Sequence, residues 1–235
     1  MKNKVILLFG LTVLAGLTAW LVTIQVNPLV PLPPELSKTG VAEQSAEVLA
    51  IKLRHNLQND CAGLAVFGGL VVAMSGFFFA LRRPLVYRLL MSAVGLVLGA
   101  ATGVLMGLSG HWLHEHLPIQ WTPTTTATVI WAAVFMELAI AVSAIANCGL
   151  GYSHNSHKIW LGGTVGALLA AVVFPLLASL LFQFENSEPT LPLGVYSRAT
   201  LFCLPTFLIL SLIEYQHSGS QAPTSSGLPH DEASR

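Results

Sequence analysis

The chain has 235 residues, no formal net charge, 54% hydrophobic but only 9% charged residues, and a mean hydropathy of +0.69. A soluble domain usually carries about 25% charged residues, so this chain cannot cover its own surface in water and lipid must do so. The lack of net positive charge argues against a nucleic-acid partner.

Six apolar stretches follow one another: Val5–Val26, Ala62–Leu81, Leu89–Leu108, Ala127–Asn147, Ile159–Phe182 and Ala199–Tyr215. Most reach the roughly 20 residues that a helix needs to cross a bilayer. The predicted fold is all-α, a polytopic bundle of about six transmembrane helices. Basic residues set its orientation. Lys2 and Lys4 precede the first stretch, Arg82, Arg83 and Arg88 lie between the second and third, and Lys158 lies between the fourth and fifth. The segment Ser109–Thr126 has no Lys or Arg. The positive-inside rule then puts both termini in the cytoplasm. Trp20, Trp112, Trp121, Trp131 and Tyr196 fall near the outer headgroups in this frame, and Tyr87, Tyr152, Trp160 and Tyr215 near the inner ones. Such amphipathic rings favour both interfaces. A bacterial cytoplasmic (inner) membrane is the expected location.

Residues 1–26 read as a first transmembrane helix acting as a signal anchor. The apolar core is longer than the roughly 7–15 residues of a cleaved signal peptide, and no clear cleavage site follows. Residues 27–61 form an outer segment. The run Asn27–Pro34 is dense in proline and predicts a stiff polyproline spacer. In Val41–Gln58 the residues Ala42, Ala46, Leu49, Leu53 and Leu57 recur at helical spacing, which predicts an amphipathic helix. It serves either as a connector running into the second stretch or as a partner-binding face. Residues 62–215 form a five-helix transmembrane bundle, and residues 216–235, rich in Ser, Gly and Pro, a disordered cytoplasmic tail.

Within the bundle, Gly95, Gly99, Gly103 and Gly107 are each four residues apart, and Gly162 and Gly166 repeat that interval. The pattern predicts a glycine zipper, a smooth helix face that lets a neighbouring backbone come close. It would serve packing within the chain or self-association. Pro175 and Pro205 lie inside the last two stretches, where each removes a backbone hydrogen bond. Cys61, Cys148 and Cys203 show no CxxC spacing, so neither a zinc site nor a redox motif is suggested. Cys61 and Cys203 share the outer side, where a disulfide would have to meet strict geometry.

Few residues are candidates for chemistry, and no catalytic residue is assigned. Glu137 is the intramembrane acidic candidate. A carboxyl group at that depth costs a few kcal/mol and must face protein or water. Ala133, Ala141 and Ala144 lie on the same face and leave room for a packed helix. Glu137 is either a proton or cation relay or a protonated acid bonded to a hydroxyl or carbonyl. His111, His114, Glu115 and His116 form the metal candidate, because imidazole and carboxylate bind divalent transition metals. They match no defined zinc motif, and the same residues beside Trp112 suit a headgroup region without metal. No other cofactor is expected. The string Gly107-Leu108-Ser109-Gly110 resembles the short GxSG string of rhomboid proteases. That chemistry needs a histidine on a later span to activate the serine, and the last three stretches contain none.

The resulting expectation is a multi-pass membrane protein, more a non-enzymatic scaffold or assembly subunit than an enzyme. Its partners are the lipid bilayer and other membrane proteins or a second copy. The alternatives are a small transporter or ion-conducting protein using Glu137, and a metal protein or enzyme using the outer histidines.

Overall fold

The structure is a computed structural model that describes residues 46–150, Ile119 excepted, and 156–181, with helical positions between 6 and 21 and between 206 and 213. The proline-rich run Asn27–Pro34, the tail from Ser218, Cys203 and Pro205 lie outside the described residues. The described residues form helices and the turns between them, with no strand among them. Four helices dominate: α1 (Ala46–Phe79), α2 (Leu85–His116), α3 (Pro123–Leu150) and α4 (Ser156–Leu181). Each contains a segment long and apolar enough to cross a membrane, and these segments run from 21 to 32 residues. A six-helix count goes beyond this.

The helix ends follow local chemistry. No Gly or Pro breaker interrupts the chain between the amphipathic segment and the second apolar stretch, and α1 runs through both as one 34-residue helix. At about 1.5 Å per residue it is roughly 50 Å long, more than a hydrocarbon core is thick. A tight turn closes it, with the Arg83 amide donating to the Ala80 carbonyl at 2.8 Å. Pro84 precedes α2, and the Arg88 amide donates to the Pro84 carbonyl at 3.1 Å. The third apolar stretch ends at Leu108, but the helix does not end there. Instead α2 continues to His116, because nothing in Ser109–His116 stops a helix. Pro118 does so, holding Leu117 extended at ψ 147°. Thr122 then caps α3, its Oγ1 accepting the Thr125 amide at 3.3 Å, with Pro123 in the first turn where a missing N–H costs nothing.

Consecutive helices are antiparallel, as the seam between α1 and α2 makes plain. Along α2 the side-chain-free faces of Gly95, Gly99, Gly103 and Gly107 meet Val72, Gly68, Leu64 and Cys61 of α1, in descending order. A Cβ added at Gly99 or Gly103 would collide with the carbonyl oxygen of Gly68 or Leu64. At Gly95 it would stand 2.6 Å from the Val72 oxygen, and at Gly107 2.6 Å from the Cys61 sulfur. These are backbone-on-backbone contacts, the form of association that pays in lipid, where apolar side chains gain nothing by leaving the solvent.

α3 lies against both α1 and α2, and α4 packs on α3. The core between them holds Phe67 and Val71 from α1, Phe135, Leu138 and Ile145 from α3, and Phe174 from α4. Trp131, Phe135 and Phe174 form an aromatic trio with centroids 5.0–6.0 Å apart. On its other face α4 presents Gly162 and Gly166 to the backbone of Leu212 and Ile209. The outward faces of α2 and α4 are apolar, with Val97 at 71% exposure the plainest case. Such faces suit a protein embedded in lipid.

Candidate functional site

Two acidic side chains, Asp60 of α1 and Glu137 of α3, approach one short segment of α2. Successive residues on a helix are turned by about 100°, so Ser109 and His111 face different neighbours. His111 turns to α1, where its Nε2 lies 3.0 Å from Oδ2 of Asp60. Both side chains are mostly covered, at 17% and 16% exposure. Ser109 turns to α3, where its hydroxyl faces the Glu137 carboxyl. The same hydroxyl donates to the Met106 carbonyl at 3.3 Å. The second Glu137 oxygen, Oε2, is buried with no hydrogen-bond partner among the described residues.

Cys61 follows Asp60 on α1. Its thiol is free and donates to the Val104 carbonyl at 3.7 Å, beside Gly107. The thiol therefore points along the α1–α2 seam. Asp60 is sixteen residues, about 24 Å of helix rise, from Gly76, which meets Met91 at the other end of the seam. The Asp60–His111 pair and Gly76 thus stand toward opposite ends of the seam.

The members of the histidine group have different partners. His111 pairs with Asp60, while the exposed His116 stacks on Trp112 at 4.5 Å and bonds its carbonyl through Nδ1 at 2.8 Å. His114 and Glu115 are exposed. Among the described residues, no three His, Cys, Asp or Glu side chains come together as a metal site would require.

Asp60 is the residue that sequence reasoning missed. It and His111 are 51 positions apart, and neither belongs to a motif. The available signal was positional: both border an apolar stretch on the same side of the membrane. Elsewhere in the core, three polar side chains bond to their own helices, while others, such as the Ser143 hydroxyl and the Trp131 ring nitrogen, are buried without a partner among the described residues. Ser75 donates to the Val71 carbonyl at 2.7 Å, Thr102 to Leu98 at 2.9 Å, and Asn147 to Ser143 at 3.0 Å. Such back-bonding to the preceding turn is how a hydroxyl or amide survives in an apolar interior.

No known protein family, curated protein or solved structure matches this chain.

Proposed function

We propose that the chain is a non-enzymatic, multi-pass membrane protein that serves as a scaffold or as a subunit of a membrane assembly. Both termini lie in the cytoplasm and the first and last apolar stretches complete six crossings, on the basic-residue pattern alone. The observation that carries the scaffold reading is the α1–α2 seam. Two backbones in contact over four glycine positions have no side-chain layer on which to slide, so the pair behaves as one rigid unit. Asp60 and His111 add a polar clasp at one end of that unit. Rigid pairing suits a framework better than a carrier that must rock between two states.

A transporter or ion-conducting protein is the second reading, and the unpartnered Oε2 of Glu137 favours it. A carboxyl oxygen left unbonded in an apolar interior is costly, and such groups often mark ion or proton paths. The test is chemical access. In a chain whose Cys61, Cys148 and Cys203 have been replaced by alanine, Glu137→Cys stays unreactive to a membrane-impermeant maleimide if the protein is a sealed scaffold. Rapid labelling in intact membranes would overturn the scaffold and favour a water-filled path.

A further inference from the structure

The turn between α1 and α2 and the first turn of α2 carry three arginines within seven residues, Arg82, Arg83 and Arg88. Arg82 and Arg83 are exposed. The cluster is braced by its surroundings. Nε of Arg88 donates to the Arg83 carbonyl at 2.7 Å, which fixes one guanidinium against the turn. The Arg83 guanidinium lies 5.9 Å from the centroid of the Tyr87 ring, within cation–π range. Tyr87 is itself held, its hydroxyl donating to the Cys148 carbonyl at the end of α3 at 2.8 Å. Among the described residues, none of the three arginines forms an ion pair with a carboxylate, and the first turn of α2 contains no acid.

We propose that this turn binds the phosphate headgroup of an anionic phospholipid. Guanidinium groups match phosphate oxygens with two parallel hydrogen bonds, and three of them converge on one end of the bundle. The adjoining residues commit the site to a lipid rather than to a free anion. Leu85, Val86 and Leu89, in the first turns of α2, are 60%, 79% and 55% exposed. A soluble phosphate would leave that surface bare, whereas the acyl chains of a lipid cover it while its headgroup meets the arginines. Basic groups at the end of membrane helices attract anionic headgroups in this way.

Native mass spectrometry of the full chain tests the site, using phosphatidylglycerol and phosphatidylcholine with identical acyl chains as probes. The wild type retains phosphatidylglycerol preferentially. Removing each arginine lowers that preference by about fivefold, so Arg82→Gln with Arg83→Gln largely abolishes it. Lys52→Gln with Arg54→Gln, toward the opposite end of α1, leaves it intact. Should the double variant not fold, Arg82→Glu, a change at one exposed side chain, must lower the preference on its own. The proposal falls if the arginine variants keep the preference, or if the Lys52/Arg54 variant loses as much. It also falls if millimolar inorganic phosphate displaces the lipid, which would mark a free-anion site.

Discussion

The Asp60 carboxylate and the His111 imidazole meet at 3.0 Å across the α1–α2 seam, each mostly covered by the bundle. Around them the seam is formed mainly by glycine backbone and apolar side chains. A carboxylate mostly covered by an apolar bundle costs less when it keeps a hydrogen-bonded partner. The pair is also specific to the helix register, because slipping α2 by one residue would rotate His111 about 100° away.

A double-mutant cycle measures this link. Asp60→Ala and His111→Ala should each destabilise the detergent-solubilised protein by about 1–2 kcal/mol. The double variant should cost little more than either single one, since the second change removes a group whose partner is already gone. Additive losses, read from thermal unfolding, would mean that the two side chains act independently.

Glycines on one helix should respond in opposite ways to the same substitution. A methyl group at Gly103 runs into the Leu64 backbone, while at Gly110 it meets nothing closer than Val134 Cγ2 at 3.8 Å. Gly103→Ala must therefore push α1 and α2 apart, at a cost of about 1–3 kcal/mol or more. Gly110→Ala fits its space and removes a flexible residue from a helix interior, for a gain of about 0.5–1 kcal/mol. Thermal midpoints that moved together would show that the close approach at Gly103 is absent in the folded protein.

The four apolar helices and the four-residue glycine interval were legible in the sequence, because both are local periodicities. Helix ends were harder. Hydropathy marks where lipid contact stops, but a helix stops where hydrogen bonding or proline demands it, so α2 outran its apolar stretch by eight residues, from Leu108 to His116. Within that extension His111 pairs with Asp60 while His116 stacks on Trp112. Proximity in sequence suggested a shared site, and His111, His114 and Glu115 do stand three and four residues apart on one helix, but no three such side chains gather among the described residues. The Asp60–His111 pair was hidden for the converse reason, since it joins residues that only the folding of α2 back on α1 brings together.

Tyr87 should act as the tie between the α1–α2 turn and the far end of α3. Its hydroxyl reaches the Cys148 carbonyl at 2.8 Å, and Cys148 is exposed at its side chain. Tyr87→Phe removes one hydrogen bond and little volume, and should cost about 0.5–1.5 kcal/mol. The loss should be local. Hydrogen exchange should quicken around Tyr87 and Cys148 while the Gly99–Gly103 seam stays protected. Faster exchange at the seam would show that the tie supports the whole helix pair.

The aromatic trio offers the sharpest contrast between core and lipid face. Phe174 is almost fully buried against Trp131 and Phe135, whereas Leu168 on the same helix is 48% exposed. In water both truncations would lose hydrophobic burial. In a membrane the lipid-facing side chain gains little from the hydrophobic effect, because acyl chains fill the space that alanine leaves. Protein neighbours relax only partly around a lost ring, so Phe174→Ala should cost about 3 kcal/mol or more, and Leu168→Ala close to nothing. Unfolding in lipid nanodiscs gives the comparison directly. Equal losses at the two positions would mean that Leu168 is covered by protein in the native assembly, and would point to a helix–helix contact on the outer face of α4.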